Sequence, residues 1–200
     1  MTKRQLAWSM GKNAFAIEAK ALECTGEELS EEAFLKAVQL LAGAERIAAS
    51  GCGHSGIACR HFAHLMCCIQ RPACFLCPSE ATHGSSGFLA KNDVLLLASR
   101  GGKTAELLPI AEIAQKKGVR IIVVTENTAS PLAQSADVVL QICIQRETDR
   151  YNSQGTTSFA VLNAIFDALQ SALIEIMDFQ NEDFALIHPG GAVGQRLNST

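Results

Sequence analysis

Apolar residues recur along the chain in two rhythms. Over residues 6–24 and 31–41 they fall at helical spacing, which predicts two leading helices, the second capped by Ser30 with Glu32 near its positive end. Beyond them, short apolar runs at 45–50, 73–77, 93–98, 119–125 and 137–144 alternate with helical stretches, including an amphipathic one at 103–117 and a long one at 156–177. Crossover connections place helices on both faces of a parallel sheet, so this alternation predicts an α/β fold built on a five-stranded parallel sheet. No internal repeat, low-complexity run or linker divides the pattern, and residues 1–200 read as one unit.

In open parallel sheets, ligands bind beyond the carboxyl ends of the strands. The polar, glycine-rich segments gather there. The first run ends in Gly51-Cys52-Gly53-His54-Ser55-Gly56, the second leads to Ser79-Glu80-Ala81-Thr82-His83-Gly84, and the fifth leads to Arg146-Glu147. The third opens into Ser99-Arg100-Gly101-Gly102-Lys103-Thr104-Ala105-Glu106, which has the composition of a phosphate cradle. Two glycines let backbone N–H groups approach an anion, and the hydroxyls, Lys103 and a helix expected to start at 103 add donors and a positive dipole end. The same run also reads as a tight turn with Ser99 and Thr104 as caps. Gly51-x-Gly53-x-x-Gly56 matches the spacing of a dinucleotide fingerprint, but the second strand does not end in the acidic residue that would hold a ribose hydroxyl.

Composition narrows the partners. Charged residues make up 18% of the chain and apolar types 48%, a balance that leaves apolar surface for contact between subunits and predicts a homo-oligomer. A net charge of -3 without a basic run gives no footprint for nucleic acid or an anionic membrane. The eight cysteines suggest a disulfide framework or a metal site, yet a chain this large and apolar needs no stapling, and no leader segment is apparent. A cytoplasmic protein with cysteines serving as small buried hydrophobes is the expectation. Cys74 and Cys77 fall within one strand-like run and so point to opposite faces, while His61 and His64 lack a third ligand at suitable spacing. No metal and no cofactor is expected.

At these residues the chain resembles the sugar isomerase (SIS) family of phosphosugar-binding domains over nearly its full length, and within it the arabinose 5-phosphate isomerase branch. The segments that carry the resemblance are Gly51 to Gly56, Glu80-Ala81-Thr82-His83-Gly84, the run from Ser99 to Glu106, Thr125-Glu126-Asn127 with Ser130-Pro131-Leu132-Ala133, and Phe184-Ala185-Leu186-Ile187-His188-Pro189-Gly190-Gly191-Ala192-Val193-Gly194. The His-Pro-Gly-Gly portion is the most specific. The family's usual pair of CBS domains is not part of this sequence, which resembles the forms confined to the catalytic domain.

The resemblance implies a flavodoxin-like three-layer αβα sandwich. It also implies a phosphosugar aldose–ketose isomerase working through an enediol, with interconversion of ribulose 5-phosphate and arabinose 5-phosphate as the leading reaction. It assigns Ser55, Ser99, Thr104, Thr156, Thr157 and Ser158 to the sugar phosphate and Glu147, His83 and His188 to the chemistry; from the residues themselves, Gly102 and Lys103 are expected to join the phosphate site and His54 to join the catalytic set as a donor to the sugar. It further implies a homodimer or homotetramer with sites near subunit interfaces. The isomerases usually have a lysine at His54, a glutamate at Lys103 and a serine at Gly101, so the charge layout beside the sugar departs from theirs. Isomerisation needs a base to move a proton between adjacent carbons and donors to hold the enediolate, which a carboxylate and histidines supply. Glu147 is the expected base and Glu106 the competing carboxylate. A noncatalytic sugar-phosphate sensor and an isomerase of another sugar phosphate stay open as alternatives.

Overall fold

The computed structural model describes residues 1–198. Two helices, α1 (Lys3–Glu28) and α2 (Glu31–Gly43), lead into β1 (Ile47–Gly51), α3 (Gly53–Cys68), β2 (Ala73–Phe75) and the short α4 (Pro78–Ala81). After a 3-10 turn at Ser85–Phe88 come β3 (Val94–Ala98), α5 (Leu108–Lys117), β4 (Arg120–Thr125), α6 (Pro131–Gln134) and β5 (Val138–Gln141), then α7 (Thr157–Ile176), α8 (Asn181–Ile187) and α9 (Gly191–Leu197). All five strands run parallel in the order β2-β1-β3-β4-β5, the flavodoxin-like arrangement. Ile47 lies opposite Ala73 on one side and Val94 on the other, so the strands' carboxyl ends line up at one edge.

Alternation along each strand divides the core in two. Ile47, Ala49, Val94, Leu96, Ile122, Val124 and Leu140 face a layer that includes α2, α3 and α7, with the rings of Phe62 and Phe166 packed at 4.7 Å between the last two. Ala48, Leu95, Leu97, Ile121 and Val123 face α5 and the short helices. The longest apolar helix, α7, meets the length and hydropathy of a membrane span, yet it packs Val161, Leu162, Ile165, Phe166, Leu169 and Leu173 into this core.

Two expectations need correction. The helix expected over 103–117 begins only at Leu108, with Pro109 in its first turn. Gly102 adopts φ +64° and the Ser99 and Thr104 hydroxyls bond to each other at 2.8 Å, which curls residues 99–107 into turns before a helix can form. The expectation that the cysteines stay unpaired is overturned at one place: Cys24 of α1 is joined to Cys143, just beyond β5, while the other six are free thiols. Helical phase brings Cys24 to that segment, and the Thr25 hydroxyl both accepts from the Cys143 amide at 3.0 Å and donates to its carbonyl at 3.4 Å.

Candidate active site

The chain reverses its winding between β1 and β3, and the loops after these two strands form the crevice where such sheets hold ligands. On the β1 side, the start of α3 folds back so tightly that a side chain at Gly56 would overlap the Gly51 carbonyl, and one at Gly51 would lie 2.9 Å from the Ser55 main chain. Those glycines thus have a packing role, which accounts for their spacing without a dinucleotide.

On the β3 side, Ser99 is buried, accepts the Gly102 amide at 3.1 Å through its hydroxyl and meets Thr104. Any Cβ at Gly102 would overlap the Ser130 side chain, so the loop closes only around glycine. Lys103 and Gly101 are exposed, and no atom lies within 4 Å of where a Gly101 side chain would begin. The loop thus brings the Ser99 and Thr104 hydroxyls together beside an exposed Lys103, residue types suited to binding a phosphate.

Glu147 stands beside it at 2% exposure. Its Oε2 accepts from the Thr156 amide at 2.8 Å, the Ser158 amide at 3.1 Å and the Thr156 hydroxyl at 3.2 Å, which places the carboxylate on the positive end of α7. Its Oε1 accepts from Arg100 Nη1 at 2.8 Å, and Arg100 Nε reaches Glu126 at 2.9 Å. Burial pushes the carboxyl upward, but Ser158, Arg100 and Thr156 together hold it below the ordinary glutamate value. Around it the 146–156 loop winds on Asp149, whose carboxylate accepts the amides of Tyr151, Ser153 and Gln154 at 2.8–3.0 Å. Asn152 accepts the Glu147 amide at 2.6 Å.

The expected residues fall into three groups. Ser99, Gly102, Lys103 and Thr104 lie on the loop after β3, and His54 and Ser55 lie in the first turn of α3, the two segments that flank the crevice. His54 also approaches Gly155 and sits edge-on to Phe159 at 6.2 Å, next to the Glu147 loop. In the second group, Thr156 and Ser158 bond Glu147, and Thr157 is wholly buried with its hydroxyl unpartnered. The third group stays apart. His83 is exposed near the 3-10 turn. His188 packs on Phe184 at 4.8 Å and lines a cavity with His64, Cys68 and Arg71 at the far end of α3, about 20 Å from His54 at 1.5 Å rise per residue.

Glu106 is exposed ahead of α5 and lines a cavity of about 440 Å³ with Gly51, Gly53 and Gly56 of the β1 loop and with Arg60 and Cys77, so it too borders the crevice. Arg146 donates to the main-chain oxygens of Glu147 and Asp149. Arg100, Glu126, Asp149 and Asn152 received no role from sequence. The only signal was a lone arginine inside the cradle and an aspartate followed by turn-forming residues ahead of a helix. Among the described residues, Cys24, Cys143 and Glu28 form the one group of three metal-ligating atoms within 4.8 Å, and its two sulfurs are bonded to each other.

A doubly wound parallel sheet with glycine- and hydroxyl-rich loops at its switch point and a buried carboxylate alongside defines a ligand-binding class of α/β protein. Residues 40–172 match the SIS domain family, and the chain belongs to it. It is 39% identical over 165 residues to the arabinose 5-phosphate isomerase KdsD of Pseudomonas aeruginosa, a match covering 82% of this chain and 51% of that protein. With the arabinose 5-phosphate isomerase KpsF of Escherichia coli it shares 34% identity over 93% of this chain and 57% of the relative. The chain thus spans about half the length of the curated relatives it matches. Among solved structures, c3406 of E. coli CFT073 in complex with arabinose 5-phosphate superimposes with a TM-score of 0.87 at 31% identity, covering 94% of this chain and all of the other.

Proposed function

We propose that the protein is a phosphosugar aldose–ketose isomerase, with arabinose 5-phosphate and ribulose 5-phosphate as the first pair to test. The observation that carries this reading is the buried, ionised Glu147 carboxylate beside the cradle of Ser99, Gly102 and Thr104. The relatives named for that activity support it. In this reading the cradle, Lys103 and Ser55 hold the phosphate. Glu147 takes the proton from the carbon next to the carbonyl and returns it to the neighbouring carbon, and His54 donates to the sugar oxygens as the enediolate forms. A carboxylate already ionised at neutral pH can accept that proton without first losing one.

His188 enters this chemistry only if a second copy brings it to the crevice, because its own chain holds it at the far end of α3. A homodimer or homotetramer is therefore part of the proposal. The surface of α1 supports it: Trp8, Phe15 and Leu22, spaced by seven, are 72%, 75% and 39% exposed along one stripe. Replacing Trp8 and Phe15 with serine should reduce the mass measured by light scattering to that of a smaller assembly. We take residues 1–200 as one functional unit and the cytoplasm as its compartment, on the ground that six of the eight cysteines are free thiols, with the Cys24–Cys143 pair the exception.

The test is a panel of aldose and ketose phosphates incubated with the protein in D2O and followed by NMR. The expected result is interconversion of one pair with deuterium entering at the carbon beside the carbonyl. Stabilisation by sugar phosphates without exchange or interconversion would favour the sensor instead.

A further inference from the structure

We propose that Arg100 is a positioning residue of the isomerisation, holding Oε1 of Glu147 as the oxygen that takes the substrate proton. The assignment rests on the reading of Glu147 as the base. The two oxygens of that carboxylate are inequivalent. Oε2 receives three donors, from Thr156 twice and Ser158 once, so its lone-pair directions are filled. Oε1 is met by Arg100 Nη1 at 2.8 Å, the one charged donor on the carboxylate, and the Ser158 hydroxyl also bears on the group.

Arg100 is itself fixed from two sides. Its carbonyl accepts the Thr125 hydroxyl at 2.8 Å and the Glu126 amide at 3.0 Å, and its Nε is bonded to the Glu126 carboxylate. A guanidinium is planar, so anchoring Nε on Glu126 sets the direction in which Nη1 meets Glu147. Arg100 also follows Ser99 directly. The main chain that forms the anion cradle therefore carries the group that aims the base, and a sugar phosphate seated in the cradle would meet Oε1 in a set relation. A lysine could supply the charge but not this two-carboxylate geometry.

The charged groups around Glu147 are Arg100 from the β3 loop, Glu126 behind it on the β4 loop, and Arg146 and Asp149 on its own loop, with the titratable His54 of α3 against Gly155 of that loop. The first turn of α7 adds amides and hydroxyls without charge. Removing Arg100 thus leaves a buried carboxylate with its nearest cation gone.

The experiment compares wild type, Arg100→Gln and Arg100→Lys in the pH dependence of kcat/KM and in the separate kcat and KM of the isomerised sugar phosphate. For Arg100→Gln the expected result is a kcat lowered about 10- to 100-fold, a KM within about threefold, and an acid limb moved up by about one pH unit. Arg100→Lys should return the acid limb toward wild type while kcat stays about tenfold low, because charge is restored and direction is not. Should Arg100→Gln fail to fold, the kcat of Arg100→Lys decides: wild-type turnover there overturns the proposal. A lower melting temperature with unchanged kcat and acid limb in Arg100→Gln also overturns it, leaving a structural ion pair. Wild type that isomerises no sugar phosphate would remove the reading of Glu147 as base, and this assignment with it, an outcome distinct from an active wild type with indifferent Arg100 variants.

Discussion

The two edges of the sheet carry similar residue types and use them in opposite ways. At the amino edge a cavity of about 880 Å³ is lined by Asp93, Arg120 and Asp137, and each charge is matched locally. Asp93, ahead of β3, takes Arg46 at 2.7 and 3.1 Å and the Ala90 amide at 2.7 Å; Asp137, ahead of β5, takes Arg120 at 2.6 Å and the Ile121 amide at 2.8 Å. These pairs staple neighbouring strands and leave little capacity for a ligand. The carboxyl edge has smaller hollows, yet there the hydroxyls of Ser99 and Thr104, the open position at Gly101 and the exposed Lys103 face one crevice, with one carboxylate held ready beside them. Volume alone would have chosen the wrong edge. Polar groups pair locally at both edges, and what separates them is position: only the carboxyl edge gathers the β1 and β3 loops at the switch point, where open parallel sheets hold ligands.

The largest expected effect tests that division directly. Glu147→Gln should lower kcat about 1,000-fold while the dissociation constant for the sugar phosphate changes only a few-fold, since the amide keeps the shape and removes the base. The acid side of its stability curve gives a second reading. Glu147 is held below its ordinary value, so its contribution to stability is present above the unfolded glutamate pKa of about 4.3 and is lost as pH falls through the lower folded value. Wild type and Glu147→Gln should therefore differ in stability at neutral pH and converge in acid. Denaturant titrations across pH 2–7 (about the range of carboxylate titration) check this.

Asp93→Ala should produce the converse at the other edge: a melting temperature lower by about 5–8 °C, with kcat/KM per folded molecule unchanged. Loss of turnover in that variant would erase the contrast between the edges. A smaller effect sharpens the crevice itself. The double change His54→Lys with Lys103→Glu should leave the fold intact and shift the ratio of kcat/KM between arabinose 5-phosphate and other aldose phosphates about tenfold toward the former. An unchanged ranking across the panel would show that these positions do not set sugar choice. The smallest effect is expected from Gly101→Ser, which adds a hydroxyl in open space at the cradle. It should lower KM two- to threefold (about 0.5 kcal/mol) without altering kcat, read from initial rates at low substrate.

The resemblance drew on motifs that local chemistry makes legible. The Ser99–Thr104 run displays its glycines and hydroxyls in order, and the Ser30 cap is present as expected, accepting the Ala33 amide at 3.3 Å. The start of α5 was misread because apolar periodicity continues back through Lys103, while the turn that interrupts it depends on the Ser99–Thr104 bond and on Ser130 filling the space at Gly102. That Thr156 and Ser158 engage Glu147 was not legible for a related reason. Their amides and hydroxyls are anion donors in either reading, and composition does not say whether the anion is a phosphate or Glu147.

What the sequence determined by itself is the alternation of strands and helices, the parallel sheet and the gathering of glycine- and hydroxyl-rich loops at its carboxyl edge, because hydrophobic period and glycine placement act within a few residues along the chain. Only the tertiary structure decided which donors Glu147 holds, that Arg100 joins it to Glu126, that Cys24 meets Cys143 across 119 residues, and that His188 lies at the far end of α3. Those are contacts between segments distant in sequence, set by how helices pack on the sheet, and no local pattern encodes which pairs will meet.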